Sequence, residues 1–460
     1  MPSSSSAHHD SASASTSTLT QRLNAGEAPR ASDTLLINEQ SRLREAGGQR
    51  VIKFGFGQSP FPVFTPAVEA LAAHAADKAY LPVQGLASAR EAVAAFHREV
   101  DGVDWQAGEM LLAPGSKLLL FALMKALPAD AEVLIPDPAW VSYAPQARMC
   151  QLATRRLTCS FESRWQVNAA ALEAALADRA PTEKGVMRGE KTESDNRVRL
   201  LILNQPGNPT GLSLDHAEQA KLADVARRHD LLVLSDEIYG VLDHDGSHRA
   251  FARDYPEGTV TTTGLSKWCG AGGWRLGAMH VPASLGEALF SRLLGIASET
   301  WSSVASPIQE AACVAYQRTP ALDAYITRQR EILAEIGQWA AAKLDDAVIR
   351  THAPDGGFYL YPDFEAHREA LAQRGITTGS ELTEVLLDEC GVALLPGSAF
   401  GAPAERLTVR LAYVDFDGAA LLTTSGPVIA HPGLEKVRDG IHAITAFVKT
   451  LESGSNRLDT

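Results

Sequence analysis

The chain has 460 residues, 45% of them hydrophobic and 21% charged, with a formal net charge of −13 and a pI near 5.5. That length and apolar fraction suffice for a large core and predict two domains, while the acidic balance offers no basic face for nucleic acid. No run reaches the roughly 18 apolar residues of a membrane span, and five scattered cysteines without a Cys-x-x-Cys spacing point to a reducing compartment and no structural zinc.

The first twenty residues are rich in Ser, Ala and Thr and contain neither Lys nor Arg, so residues 1–30 read as a disordered tail. They lack the features of a secretory or transit signal, which makes the cytoplasm the expected location. Gly55-Phe56-Gly57-Gln58-Ser59-Pro60 fails as a dinucleotide fingerprint, because proline stands at the third glycine position. Val93, Phe96 and Val100 recur at helical spacing, and the run Leu118–Leu127, apolar nearly all round, predicts a buried helix. Short apolar runs bounded by turn residues predict buried strands at Glu132–Ile135, Val198–Leu203, Leu231–Leu234, Thr259–Thr263 and Leu276–His280. Asp215 and Glu218 have the spacing of a capping box that opens a helix to Arg228. A polar stretch from Pro181 to Arg197 reads as a surface loop.

A long helical pattern from Ala321 to Leu344 leads into a second region. There Gly357–Tyr361 and Leu407–Leu411 read as strands, and Leu434, Val437, Ile441, Ile444 and Val448 mark a last amphipathic helix. Alternating helix and strand signals favour an α/β sheet protein without internal repeats. The expected division is an N-terminal arm with part of a small domain at 31–75, a large domain at 76–325 and the rest of the small domain at 326–460.

The chemistry concentrates in a few loops. Lys267 lies in the glycine-rich run Thr263-Gly264-Leu265-Ser266-Lys267-Trp268-Cys269-Gly270-Ala271-Gly272-Gly273-Trp274-Arg275, after a strand candidate. A lysine placed there is able to lose its proton and attack an aldehyde, while Arg275 is able to grip a phosphate. Both needs meet in pyridoxal phosphate, which also requires an anion at its ring nitrogen, a phosphate cradle and a flat stacking partner. Asp236, just past a strand end, suits the anion role, with a helix N-cap as the plain structural alternative. Tyr239, three residues on, suits a hydrogen bond to the ring hydroxyl. Gly115-Ser116-Lys117 precedes the buried helix and offers free amides to an anion, although a Gly-Ser turn before a helix is common. Asn204-Gln205-Pro206-Gly207-Asn208-Pro209-Thr210-Gly211 follows a strand as an ordered loop, and Asn208 has an amide to donate to a ring oxygen. The thirteen histidines are read as showing neither a His-x-x-x-His nor a His-Glu-x-x-His spacing with nearby acids, so no metal centre is expected.

Asn208-Pro209-Thr210-Gly211, Asp236-x-x-Tyr239 and Ser266-Lys267 through Gly273-Trp274-Arg275-x-Gly277, in this order and spacing, resemble the class I/II aminotransferases, the fold-type I pyridoxal phosphate enzymes. The resemblance spans about residues 50–450 and extends to the bacterial aspartate aminotransferases. It implies a large domain with a mostly parallel central sheet between helices, a smaller α+β domain, and a homodimer with shared sites. It also implies that Tyr80 reaches the neighbouring subunit's phosphate, that Trp140 stacks on the ring, and that Arg410, assisted by the Gly57 backbone, forks the substrate α-carboxylate. Alone, Trp140 would more often be a core residue. Lys117 resembles a lysine that faces the distal carboxylate of acidic substrates, which favours aspartate or glutamate as amino donor and 2-oxoglutarate as acceptor. A phosphate-only or exposed Lys117 leaves aromatic amino acids and alanine open. Where the family often has a serine phosphate ligand, this chain has Gly264, with Thr263 and Ser266 as the nearby hydroxyls. The same scaffold hosts carbon–sulfur lyases, and a cofactor-sensing regulator without catalysis is the alternative of another class.

Overall fold

The computed structural model describes residues 33–177 and 197–455, with side chains to residue 451. The expected tail at 1–30 and most of the loop expected from Pro181 lie outside these residues. Strand β1 (Ile52–Lys53) precedes seven strands of one sheet: β2 (Met110–Ala113), β3 (Glu132–Asp137), β4 (Ala153–Thr158), β5 (Arg199–Asn204), β6 (Leu232–Asp236), β7 (Thr259–Gly264) and β8 (Gly277–His280). Then follow β9 (Tyr359–Leu360), β10 (Val392–Ala393), β11 (Leu395–Pro396) and β12 (Val409–Ala412).

The seven-stranded sheet runs β2-β8-β7-β6-β5-β3-β4. Only β8 is antiparallel to its neighbours. It is therefore the mostly parallel sheet of the expected fold. Its central strands are apolar on both faces, as a sheet covered by helices must be. Leu200 and Ile202 of β5 enter one core cluster with the helices Ser116–Ala126 and Glu287–Thr300. Leu201 and Leu203 point the other way, into a cluster with the helix His216–Arg228. Each fully buried leucine contributes about 1.5–3 kcal/mol through apolar area removed from water.

Five of the seven strands match the apolar runs read from the sequence. The two exceptions are short or polar. β2 has four residues, and β4 carries Arg155 and Arg156 at the sheet edge, where charge discourages further pairing. Glu132 on the adjacent strand takes an ion pair from Arg155 at 2.8 Å. The helix opened by Asp215 is present, but only half of the capping box forms. Asp215 accepts the Glu218 amide, whereas the Glu218 carboxylate turns to the Ala169 amide instead.

The described residues, 33–177 and 197–455, form one compact unit. Two further sheets lie in it. β1 pairs in parallel with β10, joining residue 52 to residue 392, and β11-β12-β9 forms an antiparallel trio. The expected strand at Gly357–Tyr361 is shorter because Gly357 adopts a φ of 64°, outside the extended region. The helix Pro320–Asp345 runs unbroken across residue 325, so the two-domain division proposed from the sequence would be joined by this helix.

Glycine spacing between β7, β8 and the helix at Ser116 is tight. A Cβ on Gly277 would lie 2.2 Å from the Ser116 backbone nitrogen, so Gly277→Ala should destabilise the fold by about 1–3 kcal/mol. Gly295, inside the helix Glu287–Thr300 with open space around it, is the control: Gly295→Ala should stabilise by about 0.5–1 kcal/mol. Thermal midpoints moving in opposite directions would bear this out; equal midpoints would refute the packing argument.

Candidate active site

Sheet topology brings the sequence motifs to one edge. Asn204 ends β5 beside Asp236 at the end of β6, and Asp236 lies beside Thr262 near the end of β7. Lys267 follows three residues after β7 ends. Because β8 is antiparallel, it begins at this same edge, with Gly277 opposite both Gly264 and Ala113. Arg275 and the Gly115-Ser116 turn therefore arrive together. In open α/β sheets this carboxyl edge is where ligands bind.

Lys267 is half-buried, and its Nζ donates to the Gly57 carbonyl at 2.7 Å. Burial, followed by the Arg410 charge, brings its ammonium down to about 7, against the partial support of Asp236. Its Nζ lies 5.3 Å from the Tyr239 ring centre and 5.5 Å from that of Phe358. This is an amine with a sizeable neutral, nucleophilic fraction near neutral pH.

Asp236 is buried, and desolvation raises its carboxyl to about 6 even though hydrogen bonds oppose the shift. Those bonds come from the Tyr143 hydroxyl at 2.8 Å, the Thr262 hydroxyl at 3.2 Å and the Ile238 amide. Asp236 thus terminates a strand as a fully braced acid, and the helix N-cap alternative falls away. A cationic ring nitrogen beside it would restore the carboxylate form. Asn204 ties the loop to this strand end: its amide donates to the Asp236 carbonyl at 2.7 Å, and its carbonyl accepts the Asn208 amide at 2.7 Å.

Ser116 begins the helix Ser116–Ala126, so its amide is among the free donors of a helix start. Arg275 lies against the same turn, since a Cβ on Gly115 would fall 2.1 Å from its guanidinium. Its Nη1 meanwhile donates to the Gly272 carbonyl at 2.9 Å. Gly264 has no room for a side chain: a Cβ would lie 2.7 Å from the Leu276 carbonyl oxygen and 3.1 Å from the Gly277 Cα. A serine at that position would have to push β7 and β8 apart. Thr263 does not replace it, because Thr262 faces Asp236 and the strand pleat turns Thr263 to the opposite side. Of the hydroxyls near the lysine, that leaves Ser266, half-buried beside Lys267. The Lys117 Nζ lies 4.9 Å from the ring centre of Trp140, which is half-buried and packs against a core cluster. Although Lys117 as a whole residue is exposed, desolvation of its amine and then Arg275 lower its pKa.

Arg410 comes from β12, outside the main sheet, and is only 1% exposed. Its guanidinium donates to the Gly55 carbonyl and to the Asn208 side-chain oxygen at 3.4 Å, with Nε unpartnered. Two aromatic rings flank it, Tyr359 at 5.1 Å and Phe400 at 5.0 Å. Among the described residues it has no carboxylate partner. A buried guanidinium so placed has the charge and the planar donor fork to suit a carboxylate. Tyr239 is buried and shares a 2.8 Å hydrogen bond with the Tyr359 hydroxyl.

One expected residue stands apart. Tyr80 is 96% exposed in the single chain, with none of the site contacts above. Reading by motif also missed Tyr143, Thr262, Asn204 and Tyr359; Asn204 lies inside the stretch read for Asn208 and Tyr143 just beyond Trp140, but their bonds to Asp236 span 32 and 93 residues. The reading that no His-x-x-x-His spacing lies near acids is corrected by His244 and His248, beside Asp243 and Asp245. Both rings have structural partners: His244 contacts the Pro354 and Gly357 carbonyls, and His248 contacts Glu237 at 3.2 Å.

Residues 49–416 match the family described as aminotransferase class I and II. The chain is 30% identical to an aspartate aminotransferase of Geobacillus stearothermophilus and 29% identical to an asparagine–oxo-acid transaminase of Streptococcus mutans. Each alignment covers 83% of this chain and 91% of the relative. The solved aspartate aminotransferase of Thermus thermophilus with maleate superposes with a TM-score of 0.75 over 91% of this chain and 97% of the other, at 24% identity. Sequence pattern and fold agree with the clustered lysine, aspartate and arginine: the chain belongs to the class I and II aminotransferases and is an aminotransferase.

Proposed function

We propose that this aminotransferase works with pyridoxal 5'-phosphate, takes an aspartate- or glutamate-like L-amino acid as donor, and returns the amino group to a 2-oxo acid such as 2-oxoglutarate. The observation that carries this reading is the Lys267 amine, shifted to about 7 between buried Asp236 and buried Arg410. The residues fit the cofactor. Gly115 and Gly277 leave open, at the Ser116 amide and Arg275, a cradle that side chains would fill. Asp236 is a buried acid with no salt-bridge partner among the described residues. When bound, the cofactor supplies an aldehyde for amine exchange and a ring that accepts electrons from the substrate.

The protein's own groups do the rest. Lys267 would hold the cofactor through its amine, and the freed amine would move the proton at the substrate Cα. Asp236 would keep the proton at the ring nitrogen, with Tyr239 and Asn208 as donors to the ring oxygen and Trp140 as the stacking partner. The Ser116 amide, Ser266 and Arg275 would hold the phosphate, with Lys117 nearby. Arg410 forks the α-carboxylate beside the Gly57 backbone and fixes the Cα bond that must break. Two half-reactions on one site give ping-pong kinetics.

The two curated relatives bear the names of enzymes for aspartate and asparagine, both four-carbon donors. Together with Lys117 at the open side of Trp140, they support an acidic or amide donor. The exposure of Tyr80 supports a homodimer in which this tyrosine reaches the neighbouring subunit's phosphate. No helix among the described residues is long and apolar enough to cross a membrane, and we place the enzyme in the cytoplasm.

Three measurements test this reading. Deprotonated amine is the reactive form, so adduct formation between apoprotein and pyridoxal phosphate should accelerate as pH rises through about 7 and level off above it. A midpoint near the ordinary lysine value, or a visible adduct surviving in Lys267→Ala, would sink the assignment. Arg410→Lys keeps the charge but loses the fork, and should lower kcat/KM for donor and acceptor about 10–100-fold while the cofactor stays bound. Unchanged kcat/KM would remove Arg410 from the site. In a screen of donors against 2-oxoglutarate, Lys117→Ala should reduce kcat/KM for aspartate about tenfold and leave alanine within twofold. Equal losses on both would remove the distal-carboxylate role. Pyruvate and ammonia formed without any acceptor would show a lyase instead.

A further inference from the structure

Tyr359 has no role in the chemistry above, yet it touches three of its components. It lies on β9 and is 1% exposed. In the antiparallel pairing it faces Ala412 of β12, so Arg410, two residues earlier, shares its face of the strand pair. The Arg410 guanidinium sits 5.1 Å from the Tyr359 ring centre. At the other end, the Tyr359 hydroxyl is 2.8 Å from the Tyr239 hydroxyl. The Gly57 backbone closes the third side: a Cβ there would fall 1.9 Å from the Tyr359 hydroxyl oxygen.

We propose that Tyr359 is a positioning residue, fixing Tyr239 through its hydroxyl and Arg410 through its ring face; this rests on the reading of the site given above. Each phenol has one hydrogen to donate. If Tyr239 donates to a ligand's ring oxygen, its own oxygen must accept from Tyr359. Burial holds both phenols neutral, so the pair has a single consistent direction, from Tyr359 to Tyr239 to ligand. At the ring end, Arg410 lacks a carboxylate counter-charge, and the electron-rich faces of Tyr359 and Phe400 hold the guanidinium in place before substrate arrives. One side chain thereby sets the distance between the cofactor-side donor and the carboxylate fork.

Two variants of the holoenzyme separate the two contacts. Tyr359→Phe keeps the ring and removes the hydroxyl. The pH midpoint of the cofactor's visible absorbance should rise by about half a unit or more, because Tyr239 becomes a weaker donor to the ring oxygen. The donor KM should stay within about twofold. Adding Tyr359→Phe to a Tyr239→Phe variant should shift the midpoint little further, since Tyr359 reaches the ring oxygen only through the Tyr239 hydroxyl. Tyr359→Leu also removes the ring, and should raise KM for both amino and oxo acid about tenfold. An unchanged midpoint in Tyr359→Phe, fully additive shifts in the double variant, or an unchanged KM in Tyr359→Leu would each overturn the proposal. A wild-type protein with no visible cofactor band overturns the cofactor reading itself, and this proposal with it.

Discussion

One buried amine sits among like charges: Lys267 is brought down to about 7 first by burial and then by Arg410, with Arg275 and Lys117 adding to the shift and Asp236 opposing it. Lysine answers burial and like charge by releasing its proton, which is the reactive state the chemistry needs. An arginine cannot do so, and Arg410 rests on carbonyls and aromatic faces instead. A ligand with a phosphate at one end and a carboxylate at the other would neutralise both sides. The charge of the site's own residues is thus complementary to that of the proposed cofactor and substrate.

Such a cluster persists only if the backbone over-determines it. Asn204 bonds the Asp236 carbonyl and the Asn208 amide together, so the acid and the loop behind Arg410 move as one. Gly264 and Gly277 face each other where β7 and β8 close, and Gly277 also admits the Ser116 amide. Side-chain volume is absent there because backbone donors need the space. The serine missing at position 264 is part of the same packing. Its place is occupied by strand backbone, and in the proposed function the phosphate falls to the amide, Ser266 and Arg275.

Most of the fold was legible because its signals are local. The two-faced apolar runs of β3, β5 and β6, the glycine-rich stretch after β7 and the amphipathic helix Glu435–Ser455 each follow from neighbouring residues alone. Edge strand β4, with its two arginines, has no such pattern, and β2 is too short for one. Among the site residues, Lys267, Asp236, Asn208 and Arg275 stand in motifs, whereas Tyr143 and Thr262 matter through a carboxylate 93 and 26 residues away. Thr263 and the Glu218 half of the capping box were misread because a one-residue pleat and a competing amide on another helix decided them.

By itself, the order of residues determined an α/β chain, a lysine, an acid and an arginine in the motifs of one family, and a resemblance that names the chemistry. Tertiary structure alone decided that Arg410 is buried without a counter-charge, that Gly264 has no space for a hydroxyl, and that Tyr359 links two ends of the site. The reason is physical: motifs specify which groups are present, but desolvation and cross-strand distance set how strongly each one acts, and both arise only when strands remote in sequence are brought together.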